Sequence, residues 1–223
     1  MAQMKRLTAL GSACLALALP AAAAGDVREI GQPVAFPAAV CPDNCQAIAR
    51  VSGYNLQIGK SKNTFRINRP GRVVALTLRL GEPNADQLTY FKNTFGAVSQ
   101  ARVAIFKPAR TKNRHRLMAQ SELFNLEPYF GTTVTFALAR SVHVSKGEVI
   151  GVTVPTWAPA FAHGLTEDMV WRSSSHAEDC TSTMPPPAAQ MSIGSLRIWG
   201  CEYRTARLLY SVHYVLDPQP KTP

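Results

Sequence analysis

Acidic residues and cysteines are scarce in this sequence, and long apolar runs are missing after residue 24. Only 14 of the 223 residues are Asp or Glu, against 24 Lys or Arg, so the formal net charge is +10. Five cysteines are too few for a small, disulfide-dense scaffold. Without a second apolar run of about 20 residues, we predict no transmembrane segment in the chain after residue 24. The 46% of hydrophobic residues excludes an intrinsically disordered chain and indicates a folded core.

Sequence motifs of the common catalytic machineries are also missing. The chain contains no G-x-S-x-G, no phosphate-binding P-loop and no G-x-G-x-x-G. Its basic stretch lacks the interleaved aromatic residues that bind single-stranded nucleic acid, so no specific nucleic-acid partner is predicted. The sequence favours a protein without catalytic activity, cofactor or metal.

The first 24 residues have the features of a secretory signal peptide. Lys5 and Arg6 precede an uncharged, mostly apolar stretch over residues 7–19, and Pro20 and four alanines follow it. We expect cleavage after Ala24, which would remove two cations and no acid and leave a basic, extracytoplasmic protein.

Alternating apolar and polar residues dominate the remainder of the chain. This pattern predicts strands near residues 74–80, 101–106, 134–138, 142–144, 149–154, 196–198 and 208–215, with weaker strands at 54–58 and 64–67. Such a series of short strands is typical of a β-sandwich. We therefore predict one all-β domain over residues 25–223, jelly-roll-like, with an extended N-terminal arm over residues 25–40.

One short helix is predicted near residues 84–96. Asn84 is a favourable N-cap, Gln87 stands three residues later as in a capping box, and Gly96 is a favourable C-cap. Residues 158–189 are rich in Pro, Ser and other polar residues and are expected to form a long loop or crossover.

The layout of the mature chain carries a resemblance. The segments C-P-D-N-C, G-R-V-V-A-L-T-L, V-S-K-G-E-V-I-G-V-T-V-P-T-W and C-E-Y-R-T-A-R-L-L-Y-S resemble those of a group of uncharacterised exported bacterial proteins. More loosely, the segment T-F-A-L followed by G-E-V-I-G-V is similar to the strand pattern of galactose-binding-like jelly rolls. The resemblance implies a shared fold and an exported bacterial protein, and it transfers no activity.

Four cysteines remain after removal of the signal peptide. In an exported protein an even number indicates disulfides. We favour Cys41–Cys45, across a tight Pro-Asp-Asn turn, and Cys180–Cys201, which would fasten the long loop to a strand. A zinc site is the alternative, although the Cys-x3-Cys spacing differs from the usual Cys-x2-Cys.

Two segments are candidates for ligand binding. The first is the basic stretch over residues 107–116, interpreted as a hairpin tip, whose cations are Lys107, Arg110, Lys112, Arg114 and Arg116. Their combined field could hold a polyanion, or the stretch could simply be a solvated loop. The second is P-T-W-A-P-A-F, where Trp157 and Phe161 could stack on a sugar ring or plug the end of the sandwich.

These features favour a non-catalytic binding or structural module that binds a glycan or an anionic envelope polymer. The alternative is a secreted glycan-acting hydrolase, which would need two facing carboxylates or an acid–base pair. Its candidate groups are His163, Glu167, Asp168 and His176.

The disulfide assignment gives a first prediction. Non-reducing peptide mapping should join Cys41 to Cys45 and Cys180 to Cys201, with no free thiol in the mature protein. Cys180→Ser should lower the free energy of unfolding more than Cys45→Ser. A disulfide that closes a ring of about 20 residues removes entropy from the unfolded chain and stabilises the fold by on the order of 3 kcal/mol. A free thiol at any of the four positions, or bound zinc in the native protein, would contradict the assignment.

Overall fold

The computed structural model describes residues 27–111, 113–174 and 188–218. In these residues the regular secondary structure is almost entirely antiparallel strands in a sandwich-like arrangement, which confirms the predicted all-β class. The strands follow one another in the chain as β1 (Val27–Ile30), β2 (Ile48–Ile58), β3 (Ser61–Lys62), β4 (Gly71–Arg79), β5 (Gln100–Pro108), β6 (Arg114–Gln120), β7 (Phe124–Asn125), β8 (Thr133–Val144), β9 (Val149–Ala158), β10 (Phe161–His163), β11 (Met169–Ser173), β12 (Leu196–Ile198), β13 (Cys201–Arg204), β14 (Ala206–Leu208) and β15 (Tyr210–Leu216).

The strands form two principal sheets. The smaller sheet has the order β1-β15-β4-β8, and the larger has the order β12-β6-β5-β9-β2-β11-β13. Strands β3 and β7 pair with β2 and β5 respectively, and β10 and β14 form a separate two-stranded sheet. Leu78 of the smaller sheet, Val152 of the larger sheet and Tyr210 border one void of only about 10 Å³, so the two layers pack closely against each other.

Irregular pairings bend the larger sheet. The register of β2 shifts against β9 between Ala49 and Val51, and the register of β11 shifts against β2 between Val170 and Trp171. Extra residues of this kind increase the local twist of a strand. They accompany the curl of this sheet into a half-barrel.

Strand β2 is tied to β14 by a side chain as well as to its neighbours by backbone pairing. The buried Asn55 donates from Nδ2 to the carbonyl of Leu208 at 2.9 Å and accepts from the Leu208 N–H at 3.0 Å. The amide thereby satisfies both backbone groups of Leu208, as a neighbouring strand would.

Helix α1 (Ala85–Phe95) forms where the sequence predicts it. Asn84 Oδ1 accepts from the Gln87 N–H at 3.0 Å, and Gln87 Oε1 accepts from the Asn84 N–H at 2.9 Å, which completes the capping box. Gly96 ends the helix at a φ of +127°, where a residue with a side chain would be strained. The buried Phe91 fixes the helix against Trp157, with ring centroids 5.1 Å apart.

The N-terminal arm is more ordered than predicted. Its first residues form β1, which pairs antiparallel with β15. The part that follows is held by the fully buried Arg207, which donates to the carbonyls of Gly31 at 3.2 Å and Ala35 at 3.1 Å. The guanidinium also lies 5.2 Å from the centre of the Phe36 ring.

The segment over residues 158–189 is not the continuous loop expected. It contains β10 and β11, and Trp171 of β11 stacks on Tyr203 of β13 at 4.7 Å. Both strands are very short, and the polar residues around them predicted a loop. In the opposite direction, residues 64–67 contribute only an isolated bridge between Arg66 and Val149.

The disulfide Cys41–Cys45 is present as predicted. Cys201 is also disulfide-bonded, and its expected partner Cys180 lies outside the described residues. A disulfide fits an extracytoplasmic location. In the described part of the chain, no helix has the length and apolar character needed to cross a membrane.

The clamp formed by Arg207 leads to a second prediction. Arg207→Ala should lower the free energy of unfolding by about 3 kcal/mol, because it leaves a cavity and removes the donors from buried carbonyl groups. Amide hydrogens of residues 31–36, other than Pro33, which has none, should exchange faster than in the parent. Arg204→Ala, at an exposed position three residues away, is the matched control and should change stability by less than about 0.5 kcal/mol. Equal effects of the two substitutions would show that Arg207 does not hold the arm.

Candidate ligand-binding surface

The basic segment forms a hairpin whose cations lie mainly on its strands. Strand β5 ends at Pro108 and β6 begins at Arg114, so the turn covers residues 109–113. The Ala109 N–H donates to the carbonyl of Arg114 at 2.8 Å and closes this turn. The structure places Lys107, Arg114 and Arg116 on the two paired strands of the hairpin and Arg110 in its turn.

Strand alternation turns the hairpin cations towards solvent. Phe106 and Leu117 are fully buried, so their neighbours Lys107 and Arg116, which pair across β5 and β6, point to the opposite face. Arg110 and Arg114 are exposed as well. None of these four cations forms a salt bridge with a carboxylate of the described residues. Lys112, the fifth predicted contact, lies outside the described residues.

A shallow groove follows one side of the hairpin. It encloses about 330 Å³, and the charged residues along it are Lys107, Arg110 and Arg116. Met118 provides an apolar patch at its end. The groove thus presents three positive charges that have no carboxylate partner among the described residues.

A smaller pocket of about 180 Å³ lies on the other side of the hairpin end. Pro108 and Ala109 border both cavities and separate them. The polar side chains that line the pocket are Tyr54, Asn63, Arg66, Asn113, Arg114, His115 and Arg172. The pocket is therefore rich in hydrogen-bond donors and cations, and no carboxylate of the described residues lines it.

The floor of the pocket is set by strand register. Tyr54, Arg172 and Glu202 stand opposite one another on β2, β11 and β13. Arg172 forms an ion pair with Glu202, on the side away from β2. The hydroxyl of Tyr54 lies 3.1 Å from Nε2 of His115, which joins β2 to the hairpin.

Trp199 fixes this histidine from behind. Its ring stacks on His115 at 4.6 Å, and its Nε1 donates to Oε1 of Gln190 at 3.0 Å. His115 is 2% exposed, and its Nδ1 has no hydrogen-bond partner of good geometry among the described residues. The side chain is thus rigidly held at the inner end of the pocket.

The electrostatics of the pocket follow from burial and from Arg172. Burial lowers the pKa of His115 to about 4, and the positive charge of Arg172 lowers it further. The backbone of Asn113 acts in the opposite direction and raises this pKa. Burial also raises the pKa of Tyr54. At neutral pH both groups are uncharged, so the arginines supply the positive charge of the pocket.

The aromatic segment after β9 does not form an exposed platform. Trp157 is fully buried between Phe91 and Phe130, and its Nε1 donates to the carbonyl of Gly96 at 3.0 Å. Phe161 is 8% exposed and packs against Trp171. The structure corrects the sugar-stacking interpretation of Trp157 and Phe161, because neither ring presents a free face, and it supports the interpretation as a plug.

The described acid–base candidates of the hydrolase alternative make separate local contacts. Nε2 of His163 lies 3.3 Å from the carbonyl of Asn44, whereas Asp168 accepts a hydrogen bond from Thr166. Neither His163, Glu167 nor Asp168 lines the groove or the pocket. His176 lies outside the described residues, within which no three His, Cys, Asp or Glu side chains are grouped as metal ligands.

Sequence reasoning identified Arg114 but missed Tyr54, Arg66 and Arg172 as its partners. Tyr54 and Arg172 are 118 residues apart and meet only through the pairing of β2 with β11. No local motif marks either residue. The one available signal was a positively charged residue on a strand otherwise buried, which describes Arg172 within M-V-W-R-S.

Burial of His115 generates a third prediction. The unfolded chain takes up a proton on this histidine near pH 6.5, whereas the folded chain does so only near pH 4, so acid should favour unfolding within this interval. Between pH 7 and pH 4 the free energy of unfolding should fall by on the order of 3 kcal/mol less in His115→Gln than in the parent, as measured by urea unfolding. His143→Gln, at an exposed position, controls for the loss of a histidine as such. Parallel pH profiles for the parent and His115→Gln would contradict the prediction.

Comparison with known proteins supplies no relative for this arrangement: no family model, no curated protein and no solved structure matches the chain.

Proposed function

We propose that this protein is exported, lacks catalytic activity and binds an anionic polymer, most simply an acidic glycan of the cell envelope. The proposed export rests on the N-terminal signal-peptide features, and the Cys41–Cys45 disulfide fits that location. The proposed ligand rests on the charge distribution of the β5–β6 hairpin.

One observation carries the proposal. Lys107, Arg110, Arg114 and Arg116 are exposed together on one hairpin, without a carboxylate of the described residues to neutralise them. Isolated surface cations are ordinary, but four on one hairpin, three on its strands and one in its turn, produce a local positive field that attracts a chain of negative charges. Because the groove is open, a polymer can lie along it without threading its end.

The burial of the aromatic rings favours charge over stacking as the source of affinity. With Trp157 fully buried, a neutral sugar would find no ring at the position predicted from the sequence. The carboxylates proposed for a hydrolase, Glu167 and Asp168, line neither the groove nor the pocket.

A charge-removal experiment tests the proposal and is the fourth prediction. The parent should bind an immobilised acidic polysaccharide, and its binding should weaken steeply as salt approaches 1 M, where the Debye length is about 3 Å. The triple variant Lys107→Gln, Arg110→Gln, Arg116→Gln should bind at least about tenfold more weakly, with a shallower salt dependence.

The matched control removes the same total charge from elsewhere. It combines substitutions to Gln at three exposed cations that line neither cavity: Arg50, Lys60 and Lys146. This variant should retain most of the parent affinity. If both triple variants bind equally, binding depends on net charge alone and not on the hairpin; if the parent binds no anionic polymer, the proposed function is wrong.

A further inference from the structure

The pocket beside the hairpin has a composition that the polymer-binding groove does not explain. Arg66 precedes β4, Arg114 begins β6, and Arg172 lies on β11, so three separate segments direct arginines to one cavity. Among these three, only Arg172 has a carboxylate partner in the described chain, Glu202. Collecting positive charges in one cavity is electrostatically unfavourable unless an anion offsets them.

We propose that this pocket binds a single oxyanion group, a carboxylate or a phosphate or sulfate, carried by one unit of the ligand. The proposal rests on the proposed function insofar as that unit belongs to the polymer held by the hairpin. Guanidinium groups bind such oxyanions through two parallel hydrogen bonds, which makes arginine better suited than lysine to select them.

Unused donors support an acceptor ligand. Nε of Arg172 is buried and has no hydrogen-bond acceptor among the described residues, although another nitrogen of the same guanidinium pairs with Glu202. A buried N–H without a partner is destabilising, and an oxyanion in the pocket would accept a hydrogen bond from it. The amides of Asn63 and Asn113 also line the cavity and can donate to a bound oxygen.

Two inner walls of the pocket are held by packing within the domain. Phe65 is fully buried and stacks on Tyr210 at 4.2 Å, while His115 is held between Tyr54 and Trp199. A cavity whose walls need no rearrangement binds its ligand with little loss of conformational entropy.

The volume limits the size of the group that enters. At about 180 Å³ the pocket is smaller than the roughly 300–1,000 Å³ of clefts that enclose a drug-sized molecule. It accommodates one acidic group with the ring or linker that bears it, and not a length of polymer. The groove and the pocket therefore take different parts of the same ligand.

Small acids provide the test, because they are too short to occupy the groove and the pocket at the same time. Sodium glucuronate and inorganic phosphate serve as probes, with glucose as the uncharged comparison. Binding is followed by chemical shifts of the backbone and arginine Nε–H signals in ¹H–¹⁵N NMR spectra of the mature protein at low ionic strength. One probe or both should shift Asn63, Asn113 and Arg172 Nε–H, and which of them does so identifies a carboxylate or a phosphate site.

Two single variants make the test specific. Arg66→Gln removes an exposed pocket arginine and should weaken binding of the effective acid by about tenfold. Arg69→Gln makes the same change at an exposed position three residues away that does not line the pocket, and should weaken it by less than about twofold. The triple hairpin variant should still bind the small acid, since the altered side chains line the groove.

The possible results separate this proposal from the proposed function. If polymer binding is lost in the hairpin variant and the small acids cause no shifts in the parent, the oxyanion-site proposal is wrong and the proposed function is supported. If the parent binds the small acid but no acidic polymer, and Arg66→Gln loses the small acid, the oxyanion site is supported and the proposed polymer binding is wrong. Equal loss in Arg66→Gln and Arg69→Gln, or shifts with glucose as large as with the acids, would refute the oxyanion site.

Discussion

The double-sided burial of strand β2 is the constraint on which both the fold and the pocket depend. Its side chains alternate between the sandwich interior, where Asn55 bonds to the backbone of Leu208, and the opposite face, where Tyr54 meets His115. A shift of one residue would place the amide in the pocket and the phenol in the core, leaving both without partners. The paired hydrogen bonds of Asn55 oppose such a shift, because they fit only one alignment of β2 with β14.

The two cavities differ in how their charges are supported, and this difference suits different tasks. The groove cations lie at solvent, where charge acts over a Debye length and requires no exact ligand geometry. In the pocket, Arg172 is partly buried and held by Glu202, and neutral His115 lies behind it, so charge is concentrated in a rigid space. The first arrangement favours capture of a chain, and the second favours discrimination among the groups that the chain carries.

Local signals were sufficient for part of this structure and insufficient for the remainder. Helix α1 was predictable because Asn84, Gln87 and Gly96 make their capping contacts within a few residues, and strands such as β4 and β9 carry clear apolar patterns. The short strands β10 and β11 were missed, because the Pro- and Ser-rich composition of residues 158–189 predicted a loop. The site was half predictable: its exposed cations form a run in the sequence, whereas the contact of Tyr54 with Arg172 depends on register across the sheet.

The contact of Gly31 with Phe65 bears on the order in which the molecule can be completed. A side chain at Gly31 would overlap the Phe65 ring, which lines the pocket and stacks on Tyr210 of the last strand, so this wall is backed by both ends of the domain. Strand β1, next to Gly31, can pair only once β15 is available. A chain that is synthesised from its N-terminus therefore completes this wall of the pocket only after its last strand has formed.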